Sequence, residues 1–464
     1  MKASLYNYSF YLPDKTYLIY NFYTLTLIAL RYPESKIAEQ ILDNPGILSV
    51  SKQNPALKKL LAEKGFIIDD SIDELNLLRT SHRRARKQQN HLGLTIVPTL
   101  SCNFQCLYCY ETKKKQTMDK DVEENLLALV RWRIPKGGHL SVTWFGGEPL
   151  LRMDIIERLS RGLMQICEEN GAKYSANMIT NGYLLNPKNV HNLKLFKINS
   201  AQITLDGPPD IHDRRRPLKK GGETFKKIFQ NVKEASKKIS IRLRMNVDDD
   251  NRERVGEMLD ILNREGLNKR VGFYLGQTYP YTSACSDIAG LCLSDEDFSL
   301  LGLETMMEMV QRGFSSTFNM PKKKDQHCLA DNENSLVITP SGRIVNCWND
   351  VDNFNATTGH LLETETSQMK KNLAKWMNRD PFALECKDCL LLPICMGGCP
   401  YIHLRTGKLH CHKMKYHLEE SIAFYYFLKK VKQESDIIRE FQQAVENIKE
   451  LAVLSQRNNQ KKQS

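Results

Sequence analysis

Ser101-Cys102-Asn103-Phe104-Gln105-Cys106-Leu107-Tyr108-Cys109-Tyr110-Glu111 follows directly on the apolar run Leu92–Leu100. The run reads as a buried strand, and the cysteines behind it have the spacing C-x3-C-x2-C. Three thiolates on one tight loop suit three corners of a cubane iron–sulfur cluster, because iron–sulfur centres favour soft sulfur ligands. The fourth iron then has no protein ligand and is open to a small molecule. A structural zinc site asks instead for four closed ligands.

Outward from the triad, strand and helix patterns alternate from residue 92 to about 280. Strands are expected at Leu92–Leu100, Leu140–Phe145, Tyr174–Thr180, Ser200–Leu205, Ile239–Val247 and Val271–Leu275. Helices are expected at Lys120–Trp132, Met153–Glu169, Thr224–Lys237 and Arg252–Arg264, with an irregular segment near Pro187–Phe196. This alternation implies an α/β fold with a parallel sheet and outer helices, a TIM-like (β/α)6 barrel or part of one. Active sites of such folds lie at the C-terminal ends of the strands. The unusual residues fall there: Gly146-Gly147-Glu148-Pro149 after the second strand, Thr180-Asn181-Gly182 after the third, and Asp206-Gly207-Pro208 after the fourth. On the fifth strand Arg242, Arg244 and Asn246 alternate on one face. Tyr274 and Gln277 close the sixth.

The flanks differ in character. Residues 1–80 carry two strand-like runs, Leu5–Leu12 and Thr16–Asn21, then helical patterns at Glu34–Leu42 and Pro55–Glu63 and a short strand at Gly65–Asp69. A small α+β, winged-helix-like peptide-binding module and a plain extension packed on the next domain both fit. Residues 81–91 read as a basic linker, and 281–327 as a helical bridge. The segment 328–411 is irregular and cysteine-rich. Residues 412–464 read as an amphipathic helix followed by a tail expected to be disordered.

The chain has 464 residues, 41% hydrophobic and 26% charged, which excludes a mostly disordered protein. Nothing at the N-terminus resembles an export signal, and Tyr17–Leu30 is too short for a bilayer span of ~20 residues. A cytoplasmic protein is expected, with no membrane partner. In that reducing setting thirteen cysteines point to metal ligands or reactive thiols rather than disulfides. The net charge of +12 is spread over short runs such as Arg83–Lys87 and Arg214–Arg216. These runs lack interleaved aromatics, so they read as solvated faces and no nucleic-acid partner is expected. An acidic polypeptide is the sharper alternative.

The triad with Tyr108 before its third cysteine, followed one strand later by Gly-Gly-Glu-Pro, resembles the radical S-adenosylmethionine (SAM) enzymes over most of residues 92–280. The resemblance implies a [4Fe–4S] cluster on Cys102, Cys106 and Cys109 whose open iron binds SAM. Reductive cleavage of SAM then releases a 5′-deoxyadenosyl radical that abstracts hydrogen. It implies SAM contacts at Tyr108, Gly146, Gly147, Glu148, Pro149, Thr180, Asn181, Asp206, Arg244 and Asn246, and an electron donor such as flavodoxin or ferredoxin. No catalytic base is identifiable.

A second cysteine field runs Cys328, Gly342, Cys347, Cys386, Cys389, Cys395, Cys399 and Cys411. Its spacing resembles the SPASM extension of radical SAM enzymes that modify peptides and proteins, which implies two auxiliary [4Fe–4S] clusters. Carried over, Cys328, Cys347 and Cys399 serve the first, and Cys386, Cys389, Cys395 and Cys411 the second. The first is one ligand short, with Asp331, His327, a water or a substrate thiol as candidates. Paired zinc sites are the rival reading. Cys167 reads as a core thiol, while Cys285 and Cys292 flank a loop beyond the sixth strand. The expected activity is maturation of a ribosomally made precursor peptide bearing a leader, giving a cross-link or another oxidative change. The alternatives are an anaerobic sulfatase maturase making formylglycine from Cys or Ser, and a non-catalytic iron–sulfur or zinc scaffold.

Overall fold

The computed structural model describes residues 1–46, 54–112, 114–314, 320–431 and Ile448. Five strands and three helices precede the first barrel-type strand among the described residues. They are β1 (Lys2–Ala3), β2 (Asn7–Tyr11), β3 (Tyr17–Asn21), β4 (Thr26–Leu30), α1 (Glu34–Asp43), α2 (Pro55–Glu63), β5 (Ile67–Ile68) and α3 (Glu74–Arg86), β5 being a two-residue partner of β1. Strands β2, β3 and β4 form an antiparallel sheet in that order. Strand β4 was not expected. Its turn lacks glycine and proline, and the Asn21 side chain makes it instead, accepting from the N–H groups of Tyr23 and Thr24, each at 2.8 Å.

The central region alternates as the sequence predicts. It runs β6 (His91–Ile96), α4 (Lys120–Arg133), β7 (His139–Trp144), α5 (Met153–Glu169), β8 (Lys173–Thr180), α6 (Pro187–Leu195), β9 (Ile198–Thr204), α7 (Pro209–Arg215), α8 (Phe225–Ala235), β10 (Ser240–Val247), α9 (Val255–Arg264) and β11 (Val271–Gln277). Strands β6 to β11 lie in sequence order, each parallel to the next. Inward positions of β7 alternate with half-buried ones, and Leu140, Val142 and Trp144 pack with Ile156, Leu159 and Leu163 of α5 in one core. The stretch 187–196 is helical rather than irregular: Asn186 caps it by accepting from Asn189 N–H at 2.9 Å, and Pro187 occupies the first turn, where its missing N–H costs nothing.

Beyond α10 (Asp295–Gln311) the sheet continues. Strand β12 (Ser335–Ile338) pairs parallel with β6, and β13 (Arg343–Val345) and β14 (Gly359–His360) follow antiparallel, so the described sheet has nine strands. The cysteine-rich segment is therefore joined to the edge beside the triad strand. Helices α11 (Ser367–Met377), α12 (Leu392–Cys395), α13 (Pro400–Thr406) and α14 (Leu418–Val431) complete the order. The remainder of the expected C-terminal helix and its tail lies outside the described residues, apart from Ile448. No described helix is long and apolar enough to cross a membrane.

Two long-range packings fix the flanks. Tyr6, Phe10, Leu18 and Phe22 of the N-terminal sheet share a core with Leu392, Ile394 and Phe424. At the end of α3, Arg86 donates to the carbonyls of Asp331, Arg379 and Trp376, each at 3.0 Å, and of Met377 at 2.6 Å. The basic run Arg83–Lys87 is thus only partly a solvated face.

Candidate functional site

The triad loop leaves β6 and is stitched to the chain behind α7. Gln105 N–H donates to Pro217 O at 2.9 Å, Leu107 N–H to Arg215 O at 3.2 Å, and Lys219 N–H to Asn103 O at 2.9 Å. Phe104 is fully buried and anchors the loop in the core. Burial, then the nearby Glu148 carboxylate, pushes the Cys102 thiol up to about 12. A thiol in that state holds its proton until a metal displaces it.

The Gly-Gly-Glu turn after β7 grips this loop. Gly147 N–H donates to Thr99 O at 3.1 Å and Glu148 N–H to Ser101 O at 2.9 Å. A Cβ on Gly147 would stand 2.4 Å from Ser101 O and 2.6 Å from Leu100 O, so only glycine permits the approach. Gly146 adopts φ +124°, and a Cβ there would meet Thr99 O at 2.5 Å. The Glu148 carboxylate is 0% exposed. It accepts from Thr180 Oγ1 at 2.7 Å, Leu150 N–H at 3.0 Å and Asn181 N–H at 2.8 Å. Burial raises its pKa, and these donors pull the other way. Asn181 also donates to Asn103 Oδ1 at 2.8 Å. Glu148, Thr180 and Asn181 therefore form a buried brace under the triad, and Pro149 is buried beside them.

A second brace surrounds Tyr108. Its hydroxyl accepts from Asn246 Nδ2 at 2.9 Å and from Arg216 Nη1. The Arg215 guanidinium lies 5.3 Å from the ring centroid and is held bidentate by Asp248 at 2.8 Å on both oxygens. Asp206, 0% exposed, accepts from Asn246 N–H at 3.1 Å and sits 3.7 Å from Arg215. The expectation that Arg214–Arg216 is a solvated run is thus corrected for two of its members. Arg215 and Arg216 are buried because carboxylates from β9 and β10 converge on the first and the Tyr108 hydroxyl meets the second. Nothing local in the sequence signals that convergence. Arg244 donates to Asn246 Oδ1 at 2.7 Å and passes over Gly276, where a Cβ would lie 2.2 Å from its Nε. Arg242 is exposed.

An open cavity of about 1970 Å³, counting its mouth, lies above these braces. Of the expected SAM contacts, Tyr108, Arg244 and Asn246 line it, whereas Gly146, Gly147, Glu148, Pro149, Thr180, Asn181 and Asp206 do not. Cys109 of the triad lines it, as do Cys328, Cys347 and Cys399 of the C-terminal field. Tyr274 and Gln277 are on its wall, with their polar groups engaged by Gln202 at 2.6 Å and by Leu293 O at 3.0 Å respectively. Sequence reasoning missed Arg216, Tyr281 and Trp348, which also line it. The Tyr281 ring stands 6.3 Å from that of Tyr110, and Trp348 stacks on Phe145 at 5.5 Å.

Cys386, Cys389, Cys395 and Cys411 line a separate, smaller cavity. Burial pushes Cys386 up to about 11 and Cys328 up to about 12, and raises Cys347 well above the usual thiol range. Among the described residues no three His, Cys, Asp or Glu side chains are disposed to share one metal ion. The donor chemistry of both cavities, soft thiols without a competing carboxylate among them at the smaller one, fits iron–sulfur clusters. Cys167 is buried in the core of α5, and the Cys285 and Cys292 thiols donate to backbone carbonyls of Thr282 and Ile288, each at 3.3 Å. Neither Cys285 nor Cys292 lines either cavity.

Residues 96–262 match the Radical SAM superfamily. The "Probable GTP 3′,8-cyclase" of Saccharolobus solfataricus is 31% identical over 180 residues, 38% of this chain and 54% of that protein. The cysteine-type anaerobic sulfatase-maturating enzyme of Clostridium perfringens is 25% identical over 337 residues, 66% of this chain and 88% of that protein. A solved structure of native anSMEcpe with bound AdoMet and Cp18Cys peptide has the same fold, with a TM-score of 0.53 at 18% identity over 71% of this chain and 98% of that one. The chain spans about half the length of the first relatives it matches.

Proposed function

We propose, from the premise that this chain carries a Radical SAM domain over residues 96–262, that it is a maturase acting on a ribosomally made precursor peptide. The observation that carries the proposal is the shared cavity. Cys109 of the triad and Cys328, Cys347 and Cys399 of the C-terminal field face one space. A peptide segment entering there meets both cluster sites at once. When bound, a [4Fe–4S] cluster on Cys102, Cys106 and Cys109 together with SAM supplies a 5′-deoxyadenosyl radical for hydrogen abstraction. Auxiliary clusters, if held by Cys328, Cys347 and Cys399 and by Cys386, Cys389, Cys395 and Cys411, would supply an acceptor for the electron left after bond formation, and a flavodoxin- or ferredoxin-type donor suits the first reduction.

The chain's own residues hold the reactants. The buried Glu148 and Asp206 carboxylates brace the triad loop and Tyr108, and Arg216 presents a fixed positive charge on the cavity wall. That charge suits the methionine carboxylate of SAM. Tyr110, Tyr281, Phe145 and Trp348 give one part of the wall an aromatic surface, which helps keep water from a reactive intermediate.

The N-terminal sheet is the natural holder of a leader. Strand β4 pairs with β3 on one side and with no other described strand, and an extended peptide can add to such an edge through main-chain hydrogen bonds. Deleting residues 1–80 would expose Leu392, Ile394 and Phe424, so hydrogen exchange is the cleaner probe. Added precursor should protect Thr26–Leu30, and protection confined to other strands would remove the leader role. The function itself is tested by anaerobic incubation with SAM, reductant and the precursor encoded nearby. A product lacking two hydrogens supports cross-linking or oxidation; a peptide that is never altered refutes it.

A second reading, oxidation of a protein Cys or Ser to formylglycine, is favoured by the match to 88% of the Clostridium perfringens maturating enzyme. A sulfatase-derived peptide converted in place of the precursor would decide for it.

A further inference from the structure

The C-terminal field offers four cysteines to one cavity and three to the other, so the larger cavity is one donor short. We propose that His327, through Nε2, is the fourth ligand of the cluster held by Cys328, Cys347 and Cys399. The inference rests on the reading of those cysteines as cluster ligands and goes beyond it in naming the donor.

Three observations converge on this residue. His327 lines the same cavity as the three cysteines and precedes the first of them in the chain. Its Nδ1 lies 2.9 Å from the carbonyl oxygen of Cys395. With Nδ1–H donating there, the tautomer is set and Nε2 carries the lone pair. A histidine that binds metal through one ring nitrogen commonly donates the other to a backbone carbonyl in this manner. Finally, that carbonyl belongs to the turn that delivers Cys399: Gly398 N–H also reaches it at 3.3 Å, and Gly397 and Gly398 both take positive φ to turn the chain. One backbone oxygen thus orients the imidazole and the loop carrying a cysteine of the same set.

Two rival donors do not line the cavity. Asp331, whose N–H donates to Cys328 O at 3.2 Å, is 2% exposed and lies 3.8 Å from Arg379. Cys285 is outside the cavity with its thiol turned to Thr282 O. Glu111 lines the cavity two residues after Cys109, on the triad loop. An imidazole in place of a fourth thiolate removes one negative charge, and histidine ligation raises the potential of an iron–sulfur centre. A raised potential suits a cluster that accepts an electron.

The test uses the full chain with Cys102, Cys106 and Cys109 changed to alanine, so that only the C-terminal field binds iron. It is reconstituted and reduced without oxygen, and nitrogen couplings are read by pulsed electron paramagnetic resonance. A coordinated nitrogen is expected whose signal changes when the protein is grown on histidine carrying the heavy nitrogen isotope, which requires no substitution at the site. His327→Ala should abolish the signal. His327→Cys should abolish it while keeping the iron of both clusters and lowering the potential of one, and Asp331→Asn should leave it unchanged. No coordinated nitrogen in an iron-replete parent, or a signal surviving His327→Ala, overturns the proposal. A parent that takes up no cluster iron overturns the reading of the cysteine field itself, and iron content distinguishes the two failures.

Discussion

Asn246 donates its side-chain amide to the hydroxyl oxygen of Tyr108 at 2.9 Å, and so ties the end of β10 to the residue between the second and third triad cysteines. Arg216 donates to the same oxygen. Tyr108→Phe keeps the ring beneath both arginines but removes their common acceptor. Losing a charge-assisted hydrogen bond at a buried site costs about 1–3 kcal/mol. The variant should keep triad iron, melt lower, and form 5′-deoxyadenosine at least about tenfold more slowly, since ~1.4 kcal/mol is a factor of ten. Melting curves and product chromatography check this, and wild-type values for both would detach Tyr108 from the site.

Gly147→Ala tests the grip of the Gly-Gly-Glu turn. The new methyl meets two backbone carbonyl oxygens, at 2.4 and 2.6 Å, and neither can swing aside as a side chain would. Overpacking of this kind costs about 1–3 kcal/mol. Iron at Cys102, Cys106 and Cys109 should fall with it. Gly302→Ala is the control, because a Cβ there meets nothing within 4 Å and alanine favours the helix.

Iron-free protein should be alkali-sensitive. Burial pushes Cys102 and Cys328 up to about 12 in the folded chain, whereas an unfolded thiol titrates near ~8.5. The folded state therefore retains protons that the unfolded state gives up. The stability these thiols contribute is fully present below about pH 8.5 and is lost as pH rises toward about 12. Anaerobic denaturant unfolding across that range should show the decline in iron-free protein. Iron-loaded protein, whose ligand thiols are already deprotonated, should lack it.

Arg86→Ala should separate the two halves of the site. Its guanidinium satisfies the carbonyls of Trp376 and Met377 at the end of α11, and those of Asp331 and Arg379. Removing it leaves these acceptors without their cation, at a cost of about 3 kcal/mol. Iron bound by the C-terminal cysteines should drop while the triad retains its share; equal loss from both would contradict this.

The strand–helix alternation of residues 92–280 was legible because burial there follows the two regular periods, with a cap such as Asp119 at a helix start. Other features depend on partners distant in sequence. Strand β12 is four residues long and gains its identity only by pairing with β6, more than two hundred residues earlier. The turn into β4 is closed by a side chain rather than by glycine or proline. Arg215 looks like surface until Asp206 and Asp248 arrive from neighbouring strands. The Gly-Gly-Glu turn was legible as a close approach, and the triad loop is one partner of that approach.

The central claim is that the triad leaves a cluster iron vacant for SAM, and the decisive measurement is 5′-deoxyadenosine formation by full-length protein reconstituted with iron and sulfide, reduced, and given SAM without oxygen. The account predicts iron-loaded protein that makes 5′-deoxyadenosine and stops doing so when Cys102, Cys106 and Cys109 are replaced by alanine. Zinc-loaded protein that releases none would contradict it.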